Sequence, residues 1–86
     1  MKVEVQLFGA FRDFEPAAKV VLELDPDARV ADVRAALAAH AEAHWPQFRP
    51  KLLVYSAFAS EHAVPREGDG IPADGRMAVL PPVSGG

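Results

Sequence analysis

The 86-residue sequence has no cysteine. That excludes a disulfide framework, a cysteine-ligated zinc or iron–sulfur centre and a thiol nucleophile. It also leaves no side chain able to hold sulfur as a persulfide. A dominant charge is missing as well: nine Lys and Arg stand against twelve Asp and Glu, for a net charge of −3, with the signs interspersed. A partner held through nucleic-acid phosphates is therefore not expected. No apolar run approaches the roughly 20 residues that span a bilayer, so no membrane association is expected either. The opening Met1-Lys2-Val3-Glu4-Val5 lacks an apolar signal segment, and a cytoplasmic location is the expectation. Gly-x-Gly-x-x-Gly and phosphate-loop patterns are absent, and no Ser, His and acid fall at nucleophile-elbow spacing. The composition itself is globular: 50% of residues are apolar and 24% charged, which suits one small core.

Lys2 to Phe8 alternates, with Val3, Val5 and Leu7 on one side, and predicts a half-buried strand. Phe8 to Phe14 breaks the pattern and reads as a turn or short connection. Lys19 to Leu24 is rich in β-branched residues and predicts the second strand of a hairpin. Val30 to about His44 predicts one helix, since Val30, Val33, Leu37 and Ala41 recur at helical spacing and Pro46 limits it. Its N-cap looks poor, because Arg29 or Ala28 stands where Ser, Thr or Asp is preferred. Leu52 to Phe58 suits a third strand. Ser60 to Gly75 reads as a long loop with a very short strand at Ala63-Val64. Asp74-Gly75 turns the chain into a last strand, Arg76 to Leu80. Its unbroken apolar run from Met77 suggests a central strand covered on both faces. The expected fold is α+β: a mixed sheet of four to five strands with one main helix packed across it, the ubiquitin-like β-grasp arrangement. Residues 1–80 form the expected domain, and 81–86 an extended, flexible tail.

Side-chain chemistry is sparse. His40 and His44 lie four apart on the helix, a spacing that suits zinc, but Ala41-Glu42-Ala43 does not fit the zinc-protease pattern and no third ligand is evident. No metal site is expected there. Glu67-Gly68-Asp69-Gly70 lacks the repeated acids of a calcium loop and reads as a solvated turn.

The ending Leu80-Pro81-Pro82-Val83-Ser84-Gly85-Gly86 carries more information. Pro81 and Pro82 stop the sheet pairing and hold the chain extended. Beyond them, Val83 to Gly86 reaches about 13 Å at ~3.3 Å per residue. Gly85 and Gly86, lacking Cβ, can enter a slot too narrow for other residues and present a terminal carboxyl group. That group is an anion at neutral pH and a poor electrophile, so acyl chemistry on it needs activation by a second protein. Adenylation followed by displacement with a sulfur donor would leave a thiocarboxylate, a nucleophile built on the main chain. The bland alternative is an ordinary frayed terminus.

With these residues in view, the sequence resembles the small, sulfur-carrying subunit of molybdopterin synthase, a ubiquitin-like sulfur carrier. The resemblance rests on Val79-Leu80-Pro81-Pro82-Val83-Ser84-Gly85-Gly86, with support from Phe8-Gly9-Ala10-Phe11-Arg12-Asp13, Val30 to Leu37 and Asp74-Gly75. It implies that Gly86 is adenylated and then thiocarboxylated. Gly85 and Ser84 would thread into the large catalytic subunit, with Pro81, Pro82 and Val83 as the docking stem. Phe8, Phe11, Arg12 and Leu80 would contribute to a partner-facing patch, plain core being the alternative for Phe8 and Leu80. The implied partners are the large subunit, in an assembly of two small with two large chains, an adenylyltransferase resembling ubiquitin-activating enzymes, and a sulfur donor protein. No cofactor is expected on the chain itself, ATP being consumed by the activating enzyme. A carrier for thiamine, cysteine or tRNA thiolation, a ubiquitin-like modifier, and an interaction module with an inert tail remain the alternatives.

Overall fold

A computed structural model describes residues 1–46, 48–61 and 63–82. Two strands open the chain, β1 (Lys2–Leu7) and β2 (Lys19–Glu23), paired antiparallel with Val5 opposite Val20. Their connection winds through one 3-10 turn, Gly9–Asp13, and closes at Ala18, which holds φ 57. Helix α1 covers Val30–His44 and a short helix, α2, covers Pro50–Val54. Strands β3 (Ala57–Ala59) and β4 (Arg76–Leu80) complete the sheet. The order is β2-β1-β4-β3, with the first and last strands side by side and parallel in the middle.

The alternation of β1 explains its place. Val3, Val5 and Leu7 are buried, and they meet Val20 and Leu22 of β2, Phe58 of β3 and Met77 and Val79 of β4 in one core. Val30, Val33, Leu37 and Ala41 present the matching stripe of α1, all fully buried. Fully burying a side chain such as Leu37 contributes about 2 kcal/mol, so this stripe holds the helix to the sheet.

Four expectations change. Leu52 to Phe58 is not a strand: its first half belongs to α2, which Pro50 opens, and only Ala57–Ala59 pairs. Proline suits that opening position because it lacks the N–H that would go unbonded there. Ala63-Val64 forms no strand, and the loop's one described bridge joins Gly70 to Arg29. Strand β4 is central but covered on one face only, since Met77 and Val79 are buried while Arg76 and Leu80 are exposed. The start of α1 is also well satisfied. The Arg29 N–H donates to Asp32 Oδ2 at 2.8 Å, and the loop adds two acceptors, Asp69 O for Val30 N–H and Glu67 O for Ala31 N–H. The Glu67–Gly70 turn is exposed, yet it caps the helix that the sequence left uncapped.

Candidate functional site: the stem of the C-terminal tail

Strand β4 delivers the chain to Pro81 beside the start of the 3-10 turn. Gly9 sits there with φ 58, a conformation that L side chains avoid. A Cβ on Gly9 would lie 2.6 Å from Pro81 Cγ and 3.2 Å from its Cδ. Only a glycine lets the turn come this close, so the Gly9 backbone forms a seat for the Pro81 ring. Pro82 then lines an apolar depression with Phe48, Pro50, Leu52 and Tyr55, rimmed by Arg49 and Lys51. The stem thus leaves the body with Pro81 against Gly9 and with Pro82 exposed at the edge of the depression.

Phe8 and Leu80 are both exposed, at 41% and 37%, which removes the reading of either as plain core. Arg12 is exposed and shares a shallow hollow with Phe8. Phe11 is different. It is fully buried, tilted against Trp45 at 6.4 Å between ring centroids, and so belongs to the core rather than to any surface patch. Its place follows from the 3-10 turn, which points Phe11 inward while leaving Phe8 outside. Val83, Ser84, Gly85 and Gly86 lie outside the described residues.

His40 and His44 stand with ring centroids 4.6 Å apart, and among the described residues no group of three or more candidate metal ligands assembles. Instead His40 Nε2 lies 3.4 Å from Glu15 Oε1, which also accepts from Trp45 Nε1–H at 3.2 Å. The Trp45 hydrogen bond first, and then His40, hold the Glu15 carboxyl below its ordinary value. Phe14 stacks on Trp45 at 5.2 Å, and Phe48 meets both edge-on. This cluster ties the 3-10 turn to the end of α1, behind the stem.

One structural residue escaped the sequence reading. Arg34, on α1, forks onto Glu67 with Nε–Oε1 2.7 Å and Nη2–Oε2 2.8 Å. Its Nη1 donates to Leu53 O, to Ser56 O at 3.0 Å and to Ser56 Oγ at 3.1 Å, and the guanidinium lies over Phe58. It joins the helix, the turn before β3 and the long loop. The Arg34 hydrogen bonds hold the Glu67 carboxyl below its ordinary value. The only hint in the sequence is a lone arginine beside a helical apolar stripe.

The parallel β1–β4 centre with a helix across one face has clear counterparts among solved structures. SAMP1 from Haloferax volcanii is 25% identical, with a TM-score of 0.74 and all of both chains covered. The crystal structure of H. volcanii small archaeal modifier protein 1 gives 22% identity and a TM-score of 0.72, over 95% of this chain and 98% of that one. The fold is a ubiquitin-like β-grasp. The solution structure of the H. volcanii HVO 2177 protein shares it, at 22% identity and a TM-score of 0.74, covering 100% of this chain and 87% of that one. No protein-family model and no curated protein matches the chain. In this β-grasp, no helix among the described residues is long and apolar enough to cross a membrane.

Proposed function

We propose that the chain is a ubiquitin-like sulfur carrier, and specifically the sulfur-donating subunit of a molybdopterin synthase. The observation that carries the reading is the seat of Pro81 on Gly9. A tail that works inside another protein needs a fixed point of departure, and a rigid proline against a side-chain-free turn supplies one. The likeness to proteins named as modifiers supports the broader reading of a β-grasp that works through its C-terminus. The Val79-to-Gly86 resemblance supports the narrower one.

In this account the Gly86 carboxylate attacks the α-phosphorus of ATP in the activating enzyme and expels pyrophosphate. Sulfide-level sulfur from a donor then attacks the acyl carbon, expels AMP and leaves a thiocarboxylate. Delivered into the large subunit, that sulfur attacks a carbon of a pyranopterin precursor and displaces an oxygen leaving group; water then cleaves the acyl–sulfur bond and returns the Gly86 carboxylate, and two such deliveries build a dithiolene. The chain's own residues bind and orient: Pro81, Pro82 and Val83 space the tail, Ser84 and Gly85 thread it, and Phe8, Arg12 and Leu80 meet the partner around the exit. No step is assigned to a side chain of this protein.

The likeness to small archaeal modifier protein 1 favours a second reading, in which Gly86 is joined to lysine amines of other proteins. Affinity purification from the native cell, with the full chain and with Gly85-Gly86 deleted, separates the two. Recovery of a molybdopterin synthase large subunit, with cofactor production lost on deletion, is the expected result. Recovery of a thiazole synthase overturns the narrower reading, and lysine-linked conjugates without a synthase favour the modifier.

A further inference from the structure

Strand β2 is the outermost strand of the sheet, paired by β1 on one side and by no described strand on the other. The ladder alternation identifies its free backbone groups. Leu7 N–H donates to Ala18 O at 2.9 Å, and Leu24 N–H donates to Met1 O at 2.8 Å. Stepping by two along the register, the residues bonded to β1 are Val20 and Leu22. Lys19, Val21 and Glu23 therefore turn their N–H and C=O groups outward. Their side chains are the exposed set as well, with Val21 at 55%.

A lone edge lysine repels a second copy of the same chain. Here the edge has no proline, and its two charges have opposite signs and sit symmetrically about Val21. We propose that β2 is a self-association edge, to which a second copy of this chain adds its own β2 antiparallel and centred on Val21. Lys19 then lies opposite Glu23 of the second copy, Val21 opposite Val21, and Val20 opposite Leu22 on the core face. The three outward-facing pairs exchange about six N–H···O bonds. Other registers fail. A parallel pairing sets Lys19 on Lys19, an antiparallel slip by two loses both Lys19–Glu23 pairs, the one replacement being Lys19 with Asp25 beyond the end of β2, and a slip by one opposes the core face to the solvent face.

The charges are available. Lys19 Nζ reaches Glu4 Oε1 only at 3.5 Å, and the N-terminal ammonium reaches Glu23 Oε1 at 3.4 Å, both loosely held exposed pairs. The two β4 strands would stand five strand spacings apart, about 24 Å, so both tail stems stay clear of the contact. A contact of this size belongs to the weak, transient class. The proposal does not depend on the chemistry of the tail.

The test is sedimentation equilibrium of the full chain from micromolar to millimolar concentration, with residue-resolved amide exchange on the same samples. A monomer–dimer equilibrium is expected, with exchange at the Val21 amide slowing as concentration rises. Lys19→Glu, or Glu23→Lys, opposes like charges at both ends of the symmetric contact and weakens the dimer on the order of tenfold. The double swap Lys19→Glu with Glu23→Lys restores it, and circular dichroism confirms that each exposed-site variant is folded. A chain monomeric at millimolar concentration overturns the proposal. So does a dimer whose Val21 exchange ignores concentration, a single variant that associates like the parent, or a double swap that fails to restore association.

Discussion

Replacing Gly9 with Ala isolates what the seat under Pro81 contributes. Two costs add. Holding an alanine at φ 58 costs about 1 kcal/mol relative to glycine. The new Cβ would lie 2.6 Å from Pro81 Cγ, so the ring must withdraw until ordinary contact is restored, which costs about 1 kcal/mol more at this half-buried position. A total of about 2 kcal/mol lowers the melting temperature of a domain this small by about 10 °C. Calorimetry reads that number, and the double variant Gly9→Ala/Pro81→Ala should recover about half of it, because only the backbone cost remains. Gly75→Ala is the matched control. Gly75 holds φ 67 with a would-be Cβ 2.6 Å from Lys2 O, so it loses at least as much stability, at the other end of β4. At a temperature where all variants are folded, Gly9→Ala should transfer less sulfur than the parent while Gly75→Ala transfers normally. A Gly9→Ala protein that melts with the parent, or a Pro81→Ala change that recovers nothing, would refute the close approach. Equal transfer by both glycine variants would refute the stem as an aiming device.

Two further outcomes follow from the polar contacts. Arg34→Met leaves the Leu53 and Ser56 carbonyls without their charged donor and frees Glu67, for a loss of about 2–3 kcal/mol and a fall of about 10–20 °C by calorimetry, whereas Arg34→Lys should lose less. The carboxyl of Glu67 titrates below its ordinary 4.5 in the folded chain, so the stability it contributes is present above that value and is lost as pH falls through the folded one. Urea midpoints measured against pH should therefore fall less steeply below about pH 4.5 for Glu67→Gln than for the parent, with Glu15 leaving a residual slope of the same sign.

The elements that were legible in the sequence are those with one dominant period. The strict alternation from Lys2 and the stripe Val30-Val33-Leu37-Ala41 each admit a single reading, and the structure places β1 and α1 accordingly. Leu52 to Phe58 is apolar apart from Ser56, and such a run does not distinguish a helix turn from a strand. Pro50 was the signal that decides it, through its preference for the first helical position. The β4 run misled for a related reason: Ala78 and Leu80 are apolar but stay at the surface, so composition could not show that one face is bare. Phe11 and Phe8 are alike as letters, and only the 3-10 turn separates the buried one from the exposed one. Arg34, the loop carbonyls that cap α1 and the Gly9–Pro81 contact all join positions far apart in sequence, and no local pattern encodes them. The diglycine ending, on which the proposed chemistry rests, lies outside the described residues and is read from the sequence alone.

The account stands on Gly86 as an activatable acyl end, and intact mass spectrometry tests this directly. The full chain is incubated with ATP, sulfide and an adenylyltransferase resembling ubiquitin-activating enzymes, which is shown active on its own carrier in parallel. The predicted product has one oxygen replaced by sulfur, mapped to the C-terminal peptide. An unchanged mass, with the parallel reaction complete, would contradict the account.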